Sequence, residues 1–285
     1  MVVGYFMTSS HTEVGGLHAF LQKMVEDAGA HHVKLERLFP AVKKPGPKPK
    51  PSSAHTDRAA ALPQPLASAQ GITGAPLVER MLRRLELHHR RQPPDIILLE
   101  DDADCRFNTS DSTPADEQAA FENVERELNQ KVEQVLGKAV PVIALLASPE
   151  VEAWFLADWE MSFVRQYPSL SIPLKKYLET LPKLGSELGD MPSIERFGGA
   201  CLDGACTHKL SDTLMGAFQI TREADSSLFQ ALESLRVEGK QAAYSKRTDG
   251  PFMLSRIRPQ KVAEHCTLYF RPTYQKLLRL LHPSV

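Results

Sequence analysis

No apolar run in this 285-residue chain approaches the roughly 20 residues that cross a bilayer, so no membrane-spanning helix is expected. Cysteine is scarce: Cys105, Cys201, Cys206 and Cys266 form no repeated framework. That speaks against a disulfide-stapled secreted protein and for a reducing, cytoplasmic setting. Charge of either sign is not in excess, with 34 Lys and Arg against 35 Asp and Glu, a net −1. A global basic field for nucleic acid is therefore absent, and only a local patch could attract it. Gly15-Gly16 and Gly198-Gly199 lack the Lys-Ser/Thr continuation of a phosphate loop, which excludes a P-loop ATPase. No Gly-x-Ser-x-Gly elbow occurs, against an α/β-hydrolase. Cys201-x4-Cys206-x-His208 lacks the close cysteine pair of a structural zinc site.

What the chain does have is an alternation of strand and helix patterns. Val2 to Met7 reads as a first strand rather than a signal sequence, because no basic residue opens it. Val14, Leu17, Leu21, Met24 and Val25 then recur at helical spacing, and His32 to Phe39 reads as a second strand. Residues 40–72, with Lys43-Lys44-Pro45-Gly46-Pro47-Lys48-Pro49-Lys50-Pro51, can form neither helix nor central strand. They read as an exposed insertion, either a solvated linker or a phosphate contact. Leu77, Met81, Leu82 and Leu85 define the buried face of a helix whose other face carries Arg80, Arg83, Arg84 and Arg90. Asp95 to Glu100 is a doubly covered strand. A long helix with Phe121, Val124, Leu128, Val132 and Val135 ends near Gly137, and Val140 to Leu146 is the next strand. Ser148-Pro149-Glu150 suits a helix start.

The order βαβαβαβα predicts an α/β fold, a Rossmann-like parallel sheet flanked by helices, over residues 1–160. Residues 161–285 predict a mainly helical region packed on it, with helical patterns at Leu210 to Phe218, Ser227 to Val237 and Tyr274 to Leu281. Sites in such sheets lie beyond the carboxyl ends of the strands. There the sequence places Glu100, Asp101, Asp102 and Asp104 after the third strand and Glu150 and Glu152 after the fourth. Carboxylates crowded in this way call for a counter-charge. Asp102, Asp104, Glu150 and Glu152 together form a plausible set for Mg²⁺ or Mn²⁺. An EF-hand is excluded by the missing glycine and twelfth-position Glu. Each half also has an ordinary explanation, as a solvated acidic turn and as a helix-dipole acid beside the core residues Val151, Trp154 and Phe155.

Thr12-Glu13 before the first helix, Asp102-Ala103-Asp104-Cys105, Glu150-x-Glu152-Ala-Trp154-x-Leu-x-Asp158 and Tyr244-x-Lys246 together resemble an uncharacterised bacterial Toprim-related, OLD-nuclease-like family found beside ABC-type ATPases in phage-defence neighbourhoods. The resemblance implies a Toprim-type sheet and Mg²⁺-dependent cleavage of DNA or RNA, with nucleic acid and an ABC-type or OLD-like ATPase as partners. It also implies a Glu after the first strand as general acid or base, where this chain reads Ser9-Ser10-His11. Glu13 or His11 would then carry the proton, and Lys246 would stabilise charge on the phosphate. Alternatives are a non-catalytic Toprim-like partner subunit of an ATPase and a metal-dependent phosphatase or nucleotide hydrolase. An oligomer is compatible with any of these.

Overall fold

The computed structural model describes residues 1–40, 73–104, 106–107, 112–181, 194–197, 209–224 and 244–282. The insertion after Pro40, Cys105, the Cys201–His208 segment and the helical pattern at 227–237 lie outside the described residues.

Four strands, β1 (Val2–Phe6), β2 (Lys34–Phe39), β3 (Ile96–Asp102) and β4 (Val142–Ala147), form an all-parallel sheet in the order β2-β1-β3-β4. The helices that cross between them are α1 (His11–Asp27), α2 (Gly74–Arg84, continued by a wide turn to His89) and α3 (Pro114–Leu136). Helices α4 (Glu152–Ala157), α5 (Ser171–Thr180), α6 (Leu210–Ala224), α7 (Gly250–Arg256), α8 (Pro259–His265) and α9 (Phe270–Leu281) follow. This is the predicted α/β sheet with a helical carboxyl-terminal region.

Period-two alternation divides the core between the two faces of the sheet. Tyr5, Leu98, Ile143 and Leu145 pack with α1, α4 and the carboxyl-terminal helices. Phe6, Ile97, Leu99, Val142 and Ala144 pack with α2 and α3. Helix α3 begins as its sequence dictates, with Thr113 and Asp116 forming a reciprocal capping box around Pro114, and it stops at Gly137, whose φ of 71° suits glycine. Its Asn129 exchanges hydrogen bonds with the backbone of Val142, which covers part of the β4 edge.

Strands β2 and β4 each start two residues later than read from sequence, and two further differences matter for the site. Strand β3 runs two residues further, to Asp102, because its acids pair with β4 in register: Glu100 with Leu145, Asp101 with Leu146 and Asp102 with Ala147. Helix α4 starts at Glu152 rather than around Ser148, since the Ser148 hydroxyl donates to the Glu195 carbonyl at 2.8 Å and caps nothing.

Helices α1 and α7 meet with almost no side chain between them. A Cβ on Gly16 would fall 2.6 Å from the Pro251 carbonyl oxygen and 2.7 Å from Leu254 Cβ. Only glycine permits that approach. The consequence is positional: the turn at 244–249, just before α7, is brought over the carboxyl edge of the sheet. There the Thr12 hydroxyl donates to the Lys246 carbonyl at 2.9 Å.

Candidate metal centre

Because Glu100, Asp101 and Asp102 belong to a strand, alternation separates them. Glu100 and Asp102 point toward α1, and Asp101 points toward α2. On the α2 side Asp101 is neutralised, accepting from Arg106 at 2.7 Å and from the Gly74 backbone amide. On the α1 side there is no arginine. Instead Glu13, from the first turn of α1, approaches the pair, and one carboxylate oxygen from each of Glu13, Glu100 and Asp102 lies within 4.8 Å of the others. Oxygens around an octahedral Mg²⁺ at 2.0–2.1 Å are about 3 Å apart when adjacent and about 4 Å when opposed. The triad thus needs only small side-chain adjustment to fit one ion.

Glu13 and Glu100 are each 1% exposed, and the triad is under-satisfied. Glu100 accepts from the Thr8 backbone amide at 3.0 Å. Glu13 Oε2, Glu100 Oε1 and Asp102 Oδ1 are buried with no hydrogen-bond partner. Such groups are rare and call for an ion, a water or a proton. Glu152 Oε2 is also without a hydrogen bond but faces the Lys246 ammonium at 3.3 Å. Several other buried acids of the described residues are matched. Glu117 pairs with Arg196, Asp158 with Arg258, Glu195 with the backbone amides of Leu268, Tyr269 and Phe270, and Asp249 with Gln166 and the Ser245 amide.

Beside the triad lies a second, compensated half. Lys246 Nζ stands 3.3 Å from Glu152 and 3.4 Å from Glu150. The Tyr244 hydroxyl donates to Glu152 at 2.6 Å, and the Ser211 amide donates to Glu150 at 3.0 Å. Five carboxyl groups therefore share one ammonium.

Titration behaviour follows from that imbalance. Burial pushes the Glu13 carboxyl up to about 7, with Glu152 adding to the rise and Lys246 opposing it. Burial and then repulsion from Glu13 hold Glu100 and Asp102 well above the usual carboxylate range. Glu152 is raised by burial against the pull of Lys246. Burial alone would depress Lys246, but Glu152, Glu150 and Asp102 outweigh it and hold the ammonium above its ordinary value.

Of the residues predicted from sequence, Asp102 and Glu13 meet in the triad, while Glu150 and Glu152 stand beside it on Lys246. Asp104 turns away from the strand with a φ of 48°, its amide donating to the Pro149 carbonyl at 2.8 Å, and it is outside the triad. His11 opens α1 exposed to solvent and is also outside it. The residue that sequence reasoning passed over as a ligand is Glu100. Its signal was present: on a strand, an acid two residues before Asp102 shares its face, whereas Asp101 cannot.

No family model, curated protein or solved structure matches the chain.

Proposed function

We propose that this chain is a Mg²⁺- or Mn²⁺-dependent phosphodiesterase of the Toprim kind, acting on nucleic acid in the cytoplasm. The observation that carries this reading is the contrast among buried acids: Glu13, Glu100 and Asp102 keep unpartnered oxygens on one face of the sheet edge, while Asp101, one residue away, has its own arginine.

Glu100 and Asp102 are the residues suited to hold the cation, with Glu13 completing the set. The chemistry a divalent cation supplies in such a site is polarisation of a scissile phosphate and activation of a water. Glu13 is raised to about 7 in the metal-free protein, and as the third ligand it gives up that proton when the ion binds. Glu13 stands one helical turn past the Ser9 position where the resemblance leads one to expect a Glu, and it enters the cluster from α1. Lys246, kept protonated by its acidic neighbours, is suited to donate to a phosphate oxygen as charge develops there. Glu150, Glu152 and Tyr244 orient that ammonium.

The test is cleavage of plasmid DNA and of single-stranded RNA with Mg²⁺, Mn²⁺ or EDTA. Metal-dependent cleavage by the wild type, lost in Glu100→Gln/Asp102→Asn, is expected. No cleavage of either substrate by metal-loaded protein, or equal cleavage by the variant, overturns the reading. A second reading, a non-catalytic subunit of an ATPase, is favoured by the depth of Glu13 and Glu100, each only 1% exposed. It predicts metal binding without turnover and co-purification with the ATPase.

A further inference from the structure

The outer face of α2 carries a feature that the metal centre does not use. Arg80, Arg83 and Arg84 follow one another at i, i+3 and i+4, so they stand together on one side of the helix. With Phe39, Pro76, Glu79, Leu87 and His88 they line an open groove with a cavity volume of about 570 Å³. Between Gly74 and Arg91 the chain has five arginines against Glu79 and Glu86, in a protein whose net charge is −1. The stretch is thus locally basic.

These guanidinium groups are not spent on carboxylates of the described residues. Arg80 lies 5.6 Å over the Phe39 ring, and the Nε of Arg84 is buried without a hydrogen-bond partner. Among the described residues none of Arg80, Arg83 and Arg84 forms an ion pair with a carboxylate. Arg106, Arg196 and Arg258, by contrast, each hold a buried acid. An arginine set spared from internal pairing is suited to an external, planar-oxygen anion.

The groove also runs toward the edge of the sheet at which the site lies. Helix α2 starts at the carboxyl edge, where the Gly74 amide meets Asp101, and its 11 residues plus the following five-residue turn run about 24 Å down the flank of the sheet. At the upper end the Phe39 carbonyl accepts from the Met7 amide, and the next residue, Thr8, donates to Glu100 of the triad. A chain of phosphates lying along α2 would therefore reach the carboxyl edge of the sheet beside Asp101, on the face opposite the triad.

We infer that the α2 groove is a sequence-independent binding track for the phosphate backbone of nucleic acid, with Arg80, Arg83 and Arg84 as its contacts. The ring of Phe39 is covered by Arg80, so the groove offers charge rather than a platform on which bases could stack. This deepens the phosphodiesterase reading and rests on it for the choice of anion, but the interaction itself needs no metal.

The experiment is fluorescence anisotropy with the full chain in EDTA, using a labelled 20-nucleotide single strand and the matching duplex, over 50–200 mM salt. The wild type is expected to bind both probes, with an affinity that falls as salt rises. Arg80→Ala/Arg83→Ala, both at exposed positions, is expected to weaken binding at least tenfold at the lowest salt. It should also reduce the slope of log K against log salt by about 0.9 for each lost duplex contact, or about 0.7 for a single strand. Arg80→Lys/Arg83→Lys should restore most of the affinity, which a merely unfolded protein would not do. Unchanged affinity and slope in the alanine variant overturn the track, as does an absence of binding by the wild type. Since cleavage is not measured, a failed phosphodiesterase reading with intact, arginine-dependent binding leaves the track standing, and the reverse result removes the track alone.

Discussion

Glu100 and Asp101 are adjacent in sequence and opposite in fate. Glu100 turns toward α1, where it meets Glu13 and Asp102 and keeps one oxygen unpartnered, and Asp101 turns toward α2, where Arg106 and the Gly74 amide neutralise it. Everything expected of the site follows from that division.

Replacing the two acids should have opposite consequences. Glu100→Gln removes an acid whose charged form burial and Glu13 already disfavour, so the metal-free protein should melt no lower than the wild type and lose any stabilisation by Mn²⁺. Asp101→Ala removes the acceptor of the Gly74 amide and one partner of the exposed Arg106, costing about 0.5–1.5 kcal/mol while leaving the Mn²⁺ response intact. Thermal melts with and without Mn²⁺ distinguish the two.

The pH dependence of the metal-free protein has a definite sign. Glu13 titrates at about 7 when folded, above its ordinary 4.5, so folding favours the protonated acid. That contribution is complete below about pH 4.5 and is lost as pH rises through 7. His89 and His265 are depressed by burial and act the other way as pH falls toward 6 and below. The wild type should therefore lose stability between about pH 4.5 and pH 7 relative to Glu13→Gln, and level off above that, as followed by denaturant titration. Saturating Mn²⁺ should cancel the loss, because the ion displaces the proton.

Lys246 is the counter-charge of the compensated half. Lys246→Met should destabilise the fold by about 1–2 kcal/mol, a value kept modest because the side chain is half-buried and partly screened. Cleavage should fall by at least a hundredfold if the ammonium serves a phosphate. Tyr244→Phe should cost about 1–3 kcal/mol by leaving a Glu152 oxygen unpaired, with a much smaller effect on turnover. Denaturant titration and turnover of the same samples separate the two roles.

The junction of α1 and α7 positions Lys246 indirectly. Gly16→Ala would force a methyl group against the Pro251 carbonyl and Leu254, so about 1–3 kcal/mol of stability should be lost. Activity should fall further than the unfolded fraction explains, since the turn carrying Lys246 moves with α7.

Much of this was legible in the sequence. The buried runs at 96–99 and 142–146 and the helical periodicity between them could hardly form anything but a parallel sheet with crossover helices. Glycine and proline punctuation marked the end of α3 and its start. The acids at two adjacent strand ends were visible for the same reason. The ligand set was harder to read, because it depends on where β3 ends. Treating Asp101 to Asp104 as a turn made Asp102 and Asp104 the natural pair, whereas two further ladder residues select Glu100 and Asp102. The position of Lys246 relative to Glu152 was not legible from spacing at all, since they lie 94 residues apart and are brought together by the α1–α7 contact. Nor does composition show that Arg80, Arg83 and Arg84 form no ion pair among the described residues.

The most direct test of the central claim is the anomalous signal of Mn²⁺ in crystals of this protein. A peak at about 2.2 Å from carboxylate oxygens of Glu13, Glu100 and Asp102, absent in Glu100→Gln/Asp102→Asn, is the predicted result. Saturating Mn²⁺ with no peak at that edge of the sheet, in crystals that diffract well enough to show the side chains, would contradict it.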